Sequence, residues 1–229
     1  MRSALVLLSG GQDSTVALYW AKKKYARVKA LCIHYGQRHQ LEINSAQIVA
    51  GMADIVVEQL KLPGGILGGT SPLVDRGAQL GQYAGVDALP GGVEPTFIPG
   101  RNILFLAIAG NRAFCGGFEA VVIGVNSVDY GGYPDCREPF LFSMSDALNR
   151  GMDSDIKIEA PLLNLDKAGI VQLGIEVGAT EALAYSHTCY AGTCPPCGKC
   201  HACILRADGF LKAGRTDPLI QRLQQEGAM

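Results

Sequence analysis

The sequence lacks any apolar run that approaches the roughly 20 residues needed to span a bilayer. Its first apolar stretch, at residues 4–8, stops at Ser9 without the cleavage site of a signal peptide. It also lacks a charge excess, because 20 Lys+Arg stand against 21 Asp+Glu for a net charge of −1. A chain without a broad basic field is not typical of nucleic-acid or membrane binding. These absences predict a cytoplasmic protein with neither partner, although a local charged patch is not excluded.

Near-continuous apolar runs of strand length recur at residues 4–8, 28–33, 55–60, 120–125 and 156–160. Runs of this kind are typical of strands that are covered on both faces. Helix-like patterns separate and follow them at residues 14–25, 39–52, 102–114, 139–149 and 167–177. This alternation predicts an α/β fold with a doubly wound parallel sheet.

Two segments depart from that alternation. Residues 62–95 carry many glycines and are long for a connection within a domain, so they form either a lid over the ligand crevice or glycine-rich slack. From about residue 185 a cysteine cluster is followed by a helix-like pattern at 204–213 and a polar tail. We therefore expect an α/β domain over residues 1–184 and a small metal-binding appendage with helices over residues 185–229.

The first strand runs into the turn SGGQDS at residues 9–14 and then into a helix. Such a turn faces a ligand with unpaired N–H groups and the positive end of the helix dipole, which favours an anion. The turn has no lysine, so it is not the P-loop that steadies the terminal phosphates during γ-phosphoryl transfer. It suits a pyrophosphate that leaves when the α-phosphate is attacked. The alternative is a structural corner in which Asp13 or Ser14 caps the helix.

The pattern S-G-G-x-D-S after the first strand resembles the pyrophosphate loop of the N-type ATP pyrophosphatases, which adenylate an oxygen and then displace AMP with a nucleophile. The resemblance implies a Rossmann-like domain of the adenine nucleotide α-hydrolase type, with ATP as substrate and Mg²⁺ beside it. It implies catalytic roles for Ser9, Asp13, Ser14 and Arg101. The residues that it implies for ATP binding are Leu8, Ser9, Gly10, Gly11, Gln12, Asp13, Ser14, Thr15, Val16, Ala17, Leu18, Arg101, Asn102 and Lys167.

Four further stretches narrow the resemblance: HYGQRHQLEI from residue 34, FIPGRNILFL from residue 97, GYPDCREPF from residue 132 and CYAGTCPPCGKCHACILR from residue 189. Together they resemble the 7-cyano-7-deazaguanine synthases over nearly the whole chain. That family uses ATP and ammonia to convert 7-carboxy-7-deazaguanine into the nitrile precursor of queuosine, and its members carry zinc. The resemblance implies these small-molecule substrates and adenylated acid and amide intermediates. Family members are often homodimers, and the sequence leaves the oligomeric state open.

Five of the eight cysteines lie within residues 189–203, and clustered thiols in a cytoplasmic protein point to a metal rather than to disulfides. Tetrahedral zinc needs four ligands. Three closely spaced thiolates are offered by Cys197, Cys200 and Cys203, and the candidates for the fourth ligand are Cys189, Cys194, His187 and His201. Pro195 and Pro196 have no N–H to give to a sulfur, which disfavours Cys194.

The resemblance chooses among these ligands, because the family pattern places its first zinc cysteine at Cys189. It therefore implies one structural zinc ion held by Cys189, Cys197, Cys200 and Cys203. A closed site of four thiolates leaves no open position for a substrate. The alternatives are a redox pair or reactive thiols, with the surplus Cys194 as one partner.

The loop after the fourth predicted strand carries Tyr133, Asp135 and Arg137. A deazaguanine ring shows a lactam N–H and an exocyclic amine side by side, and one carboxylate can accept both hydrogen bonds. We therefore expect Asp135 to bind that edge, Tyr133 to stack on or border the ring, and Arg137 to pair with the substrate carboxylate or a phosphate. The alternative is a type I turn centred on residues 134 and 135 with Arg137 in solvent.

Five other residues have weaker assignments. Arg101 and Asn102 open a predicted helix and are placed for a phosphate or the acyl-adenylate. Lys167 opens another predicted helix and can reach a phosphate, although helix-surface lysines are usually solvated. His34 and His39 flank the expected adenine pocket, and we assign neither a role in proton transfer.

Two other functions remain open from the sequence. A tRNA-modifying adenylase such as a thiolase would need a broad basic surface and a catalytic cysteine near the nucleotide, and the neutral charge counts against it. A zinc-dependent nucleic-acid-binding module would need a basic footprint around the metal. The residues that could form it are Lys199, His201, Arg206, Lys212 and Arg215.

Overall fold

Five parallel strands form one sheet at the centre of the protein, in the order β3-β2-β1-β4-β5. The computed structural model describes residues 2–38, 41–75, 77–128 and 132–229. The strands are β1 Ser3–Leu7, β2 Arg27–His34, β3 Val57–Lys61, β4 Ala120–Val122 and β5 Lys157–Glu159. The chain fills one half of the sheet with β1 to β3 and the other half with β4 and β5. The crevice between β1 and β4 is therefore the switch point at which such sheets bind ligands.

Helices cover both faces of this sheet. The α-helices of the described residues are α1 Gln12–Lys24, α2 Leu41–Met52, α3 Arg101–Gly116, α4 Glu138–Met152, α5 Lys167–Glu176, α6 Thr180–Leu183, α7 His201–Lys212 and α8 Pro218–Gln225. Short 3-10 helices lie at Val86–Ala88 and Pro134–Cys136. Within the described ranges, none of the helices combines the length and the apolar character that crossing a membrane requires.

The residues of β1 alternate between the two faces of the sheet, and all five are buried. Ala4 and Val6 pack into an apolar cluster with α1 and α2. Leu5 and Leu7 point the other way and pack against α3 and α4. Burial on both faces explains why the strand is continuously apolar from Ala4 to Leu7 rather than alternating. The predicted fold class, a doubly wound parallel sheet, is confirmed.

The C-terminal helices pack on the α1 side of this core. Val16 of α1, Ile170 of α5, Leu183 of α6 and Phe210 of α7 share one buried apolar cluster. Helix α7 lies against α5, and α8 lies against α6. The segment after residue 184 is thus in close contact with the α/β layer, and its treatment as a separate unit stays a prediction.

Arg206 of α7 ties the C-terminal segment together through a buried guanidinium group. Its Nε and Nη2 atoms contact the two carboxylate oxygens of Asp217 at 2.6 and 2.8 Å. Its Nη1 atom donates to the hydroxyls of Ser186 at 2.9 Å and Thr188 at 3.1 Å, and Nη2 donates to the Leu183 carbonyl at 3.0 Å. A buried charge that is paired and fully hydrogen-bonded in this way fixes the geometry of the groups around it.

The glycine-rich segment 62–95 is attached to the rest of the protein at several points. Leu73 is buried in an apolar cluster with Tyr35 and Ile98. The Tyr83 N–H donates to the Lys199 carbonyl at 2.8 Å, which joins the segment to the cysteine-rich region. The segment therefore links the β2 side of the molecule to the cysteine cluster.

Most element boundaries differ slightly from the sequence predictions. Each predicted strand overlaps an observed one, but β4 ends at Val122 instead of residue 125. Helix α1 begins at Gln12 rather than residue 14, and α7 begins at His201 rather than residue 204. The first two residues of the helix predicted at 39–52, including His39, lie outside the described ranges. The sequence pattern did not indicate α6 or define α8, because both are short and rely on tertiary packing.

Replacing Gly10 by alanine is expected to destabilise the fold by at least about 2 kcal/mol, because two penalties combine. Gly10 has φ +91°, which L side chains rarely adopt. A Cβ there would overlap the backbone carbonyl oxygen of Glu42 and come within 2.5 Å of the Ala46 nitrogen. Thermal and denaturant unfolding of the purified variant measures the loss.

Gly11→Ala is the matched control. Gly11 has φ −78°, and a Cβ there would meet no heavy atom closer than 3.5 Å. Its stability should stay within about 1 kcal/mol of the parent protein. Equal stability losses in both variants would contradict the close approach of the turn to α2.

Candidate functional site

A cavity of about 280 Å³ opens at the carboxyl edge of the sheet. The ends of β1 and β2 form its floor, and residues 123–127, which follow β4, form one wall. The first residues of α1, α3, α5 and α7 also face it. Helix N-termini that face a cavity make it favourable for an anionic ligand.

The glycine turn forms the part of the wall between β1 and α1. The Gly10 N–H donates to the Ser14 hydroxyl at 3.1 Å, and that hydroxyl lies 3.1 Å from both the Gly11 carbonyl and the Ser9 hydroxyl. Gly11 occupies the N-cap position of α1, and no side chain caps the helix. The alternative with Asp13 or Ser14 as cap is therefore wrong. Apart from the Gln12 N–H, which approaches the Thr188 hydroxyl at 3.4 Å, an uncapped helix start at a cavity wall leaves its N–H groups for a ligand.

Gln12 adds a buried side chain to this turn. It is only 1% exposed and lines the cavity. Within the described part of the chain, neither its Nε2 nor its Oε1 atom has a hydrogen-bond partner. Buried polar atoms are almost always hydrogen-bonded. The side chain is thus placed to bind a group that enters the cavity.

A lysine reaches the turn from helix α5, which packs against α1. Lys167, at the first position of α5, contacts the Asp13 carboxylate with its Nζ atom at 2.6 Å. The helix is capped by Asp166, whose carboxylate accepts from the Gly169 N–H at 2.8 Å. Asn126 approaches the same Asp13 oxygen at 3.5 Å. A lysine that is distant in sequence therefore lies beside the glycine turn.

Arg101 places a second cation at the cavity. It lies at the start of α3, and its Nη1 atom is 3.5 Å from the Tyr35 hydroxyl. Within the described residues, no carboxylate forms an ion pair with it. An arginine is always charged. A charged guanidinium at the cavity wall, without a carboxylate partner among the described residues, is therefore suited to bind an anion.

Asp135 lies behind the cavity wall. Its carboxylate accepts from the Asn102 backbone N–H at 3.3 Å, and the Asn102 side-chain amide donates to the Asp135 carbonyl at 3.1 Å. Burial raises the pKa of Asp135, although Arg101 and the Asn102 N–H partly offset this. The carboxylate thus fixes the start of α3 relative to the 134–136 turn.

Tyr133 and Arg137 flank that turn and do line the cavity. The Tyr133 ring lies 5.5 Å from the ring of Phe97. Arg137 is exposed, and its Nη2 atom donates to the Gly132 carbonyl at 2.9 Å. The two side chains are therefore available to a ligand, one as an aromatic wall and the other as a cation at the rim.

The four predicted cysteines come together at the start of α7. The sulfur atoms of Cys189, Cys197, Cys200 and Cys203 lie within 4.8 Å of one another. Tetrahedral zinc with bonds of about 2.3 Å places its sulfurs roughly 3.8 Å apart, so the cluster has the right size. Cys194 is exposed and lies outside it.

Backbone donors surround these sulfurs. The Cys197 N–H donates to the Cys189 sulfur and the Cys200 N–H to the Cys197 sulfur, both at 3.3 Å. Hydrogen bonds from the Cys200 and Cys203 thiols lower the pKa of Cys189. Of the histidines considered as ligands, His187 directs its Nε2 atom to the Thr193 carbonyl at 2.9 Å. The donor set present fits one metal ion held by four sulfurs.

The cavity brings together many of the residues predicted for nucleotide and substrate binding. Those that line it are Leu8, Ser9, Gly11, Gln12, Asp13, Ser14, Arg101, Asn102, Tyr133, Arg137 and Lys167. Those that do not line it are Gly10, Thr15, Val16, Ala17, Leu18 and Asp135. The side chains of residues 16–18 belong to the core, because α1 turns them toward the sheet and α5.

The sequence pattern did not indicate other parts of the wall. They include Tyr35, Gln37 and Glu42 from the β2–α2 connection, residues 124–127 after β4, and Thr188, Tyr190, His201, Ala202 and Leu205 from the cysteine-rich region. Some lie in the stretches that carried the family resemblance, at residues 34–43 and 189–206. The cavity is thus closed by the segment that also holds the cysteine cluster.

Comparison with known proteins agrees with this architecture. The profile of the family described as queuosine biosynthesis protein QueC matches residues 3–214. A 7-cyano-7-deazaguanine synthase from Gloeobacter violaceus is 50% identical over 225 residues, covering 96% of each chain. The synthase from Laribacter hongkongensis is 47% identical, covering 96% of this chain and 95% of the relative.

Among solved structures, a predicted subunit of tRNA methyltransferase from Methanocaldococcus jannaschii has a TM-score of 0.51 and covers 77% of this chain and 75% of its own. At 16% identity this likeness shows a shared fold alone. The match over residues 3–214 and the identities of 47 to 50% show more: this chain belongs to the QueC family of queuosine biosynthesis proteins.

Proposed function

We propose that this protein is an enzyme that makes 7-cyano-7-deazaguanine from 7-carboxy-7-deazaguanine and ammonia with ATP, a ligase that forms a C–N bond. The observation that supports this most is the family match over residues 3–214, combined with a glycine turn at the switch point of the sheet. The name of the relatives supplies the product, and the cavity supplies groups suited to adenylation.

ATP is proposed to place its departing phosphates against the glycine turn. The N-terminus of α1 and the hydroxyls of Ser9 and Ser14 stabilise the pyrophosphate as it leaves. Lys167 contributes a cation from α5, and the Asp13 carboxylate beside it offers an oxygen ligand for the Mg²⁺ that accompanies ATP. Arg101 stabilises charge on the α-phosphate or the acyl-adenylate from the opposite wall.

The chemistry requires two activations of the same carbon. A carboxylate resists ammonia until one oxygen becomes a good leaving group, so adenylation followed by displacement of AMP gives the amide. Adenylation of the amide oxygen and elimination of AMP then gives the nitrile. The two steps consume two ATP and release two AMP and two pyrophosphates.

The deazaguanine ring is proposed to lie against Tyr133, with Arg137 at the rim pairing with its carboxylate. Asp135 is proposed to accept hydrogen bonds from the lactam N–H and the exocyclic amine. Because Asp135 now contacts the Asn102 N–H, this role requires the 134–136 turn to present one carboxylate oxygen to the cavity.

Zinc is proposed as the metal of the four-cysteine cluster, in a structural role. Four thiolates complete its tetrahedral coordination, so the ion supplies no open position for chemistry. Helix α7 begins inside the cluster, since Cys200 is its N-cap and Cys203 lies in its first turn. The ion would thus fix the start of a helix that lines the cavity.

Purified protein given 7-carboxy-7-deazaguanine, ATP, Mg²⁺ and ammonium is expected to yield the nitrile together with AMP and pyrophosphate. Liquid chromatography with mass detection follows base and nucleotide products in the same sample. Amide as the final product would restrict the function to one activation. If folded, zinc-replete protein forms no base product and no AMP, the proposal is overturned and tRNA substrates should be tested.

Cys200→Ser is expected to lose bound zinc, because the buried Cys200 sulfur is one of the four clustered ligands. Cys194→Ser is the matched control, since Cys194 is exposed and outside the cluster, and it should keep about one zinc per chain. Elemental analysis of both purified proteins measures this. Zinc loss in the Cys194 variant, or retention in the Cys200 variant, would contradict the ligand set.

Asp135→Asn is expected to weaken binding of 7-carboxy-7-deazaguanine roughly tenfold or more, because one acceptor becomes a donor opposite the N–H groups of the base. Calorimetric titration measures Kd, and thermal unfolding of the same sample reports the loss of the contact with α3. Unchanged Kd and turnover would remove Asp135 from base recognition, and lower stability alone would leave it a purely structural role.

A further inference from the structure

A row of three hydrogen-bonded side chains runs from the cavity into the protein. The Tyr133 hydroxyl, at the cavity wall, lies 2.6 Å from the Thr96 hydroxyl. The Thr96 hydroxyl in turn contacts the Glu94 carboxylate, which also accepts from the Thr96 N–H at 2.7 Å. Thr96 and Glu94 are buried, with 0% and 1% exposure. The row therefore connects a residue of the cavity wall to a carboxylate that water does not reach.

The directions of these hydrogen bonds follow from the number of protons. A threonine hydroxyl has one proton, and a carboxylate can only accept. Thr96 therefore donates to Glu94, and Tyr133 donates to Thr96. All three groups are then oriented so that a proton arriving at Tyr133 can be passed inward.

The surroundings of Glu94 favour proton uptake. Burial raises the pKa of Glu94, and hydrogen bonds from the Thr96 N–H and Tyr83 offset this only partly. The Tyr83 hydroxyl is 3.2 Å from the other carboxylate oxygen. In the described residues no cation forms an ion pair with Glu94. Tyr133 keeps its own proton at rest, because burial raises its pKa to about 12.

We infer that Tyr133, Thr96 and Glu94 form a proton relay that removes protons from the reacting nitrogen, with Glu94 as the final acceptor. The inference rests on the proposed function, which requires such an acceptor. Two other carboxylates line the cavity. Asp13 is held by Lys167 at 2.6 Å, which weakens it as a base, and Glu42 lies beside the glycine turn, where its Oε1 atom is 3.6 Å from the position of a Cβ on Gly11. Asp135 is directed at α3.

Each transfer balances. When the ammonia lone pair forms the C–N bond, the C–O bond to AMP breaks and one nitrogen proton passes to Tyr133, as Tyr133 gives its own to Thr96 and Thr96 gives its own to Glu94. In the second step the amide oxygen bonds to the α-phosphate as pyrophosphate leaves, and one nitrogen proton is lost. The remaining N–H proton is lost as the nitrogen lone pair closes the C≡N bond and AMP departs. Glu94 holds one proton at a time, so each proton returns along the row to the departing AMP or pyrophosphate before the next is taken up.

The relay predicts that Glu94→Gln separates adenylation from the nitrogen chemistry, because only the latter gives up a proton. Exchange of labelled pyrophosphate into ATP, with 7-carboxy-7-deazaguanine and no ammonia, should stay within about twofold of the parent protein. Conversion of the amide into the nitrile should slow at least about tenfold. Thr96→Val, which interrupts the row and keeps the carboxylate, should behave in the same way.

The pH dependence of the rate of amide conversion distinguishes a relay from a structural role, because a purely structural role of Glu94 would not change it. Free ammonia does not enter this step. Glu94 must be ionised to accept a proton, so the rate should rise with pH through its pKa, above the range of an ordinary glutamate. Glu94→Gln should abolish this rise of the rate with pH. Tyr83→Phe is the matched control, because it removes one donor to Glu94 outside the row, and it should keep this rise and most of the rate.

The outcomes separate the relay from the proposed function. If the parent protein shows no pyrophosphate exchange and no products, both the relay and the proposed function are overturned. Products from the parent, with exchange and amide conversion falling equally in the Glu94 and Thr96 variants, would overturn the relay alone and leave these residues a structural role. A Glu94→Gln variant with the parental rate and pH profile would also overturn it.

Discussion

The position of the glycine turn depends on backbone contacts on two sides. On one side Gly10 lies so close to the backbone of α2 that no side chain fits between them. On the other side the His187 N–H donates to the Gly10 carbonyl at 2.9 Å, and the Gln12 N–H approaches the Thr188 hydroxyl at 3.4 Å. An anion site built from N–H groups works only if those groups are already aimed at the ligand. The contacts of the turn with α2 on one side and with residues 187–188 on the other hold it in this orientation.

The second contact leads directly to the cysteine cluster. Thr188 and Ser186 are held by the Arg206 guanidinium, and Arg206 lies one helical turn after Cys203 on α7. A metal ion at the cluster would therefore act on the glycine turn through one helix and one arginine. A closed metal site far from the reacting atoms can in this way still influence catalysis, because it determines where α7 begins.

Much of this arrangement could be predicted from local sequence. Apolar runs indicated the five strands, and the clustered cysteines indicated a metal site with Cys197, Cys200 and Cys203, whereas the fourth ligand, Cys189, came from the family resemblance. The burial of Asp135 against Asn102 could not be predicted, since it depends on how the loop after β4 packs on α3. The same is true of Lys167, which meets Asp13 across 154 positions of sequence. Local patterns report what a segment does, and contacts between distant segments decide which side chains reach the cavity.

The glycine-rich segment shows most clearly why such contacts matter. By composition it is either a loosely held glycine-rich loop or a lid. Its end nevertheless carries Glu94, which is 1% exposed and hydrogen-bonded to Thr96 and Tyr83. Tyr83 is in turn joined through its N–H to Lys199, beside the cysteine cluster. A carboxylate is buried without a paired cation only where hydrogen bonds hold it. The segment therefore packs behind the site wall, where Glu94 and Thr96 support Tyr133, and its Tyr83 reaches the cysteine cluster.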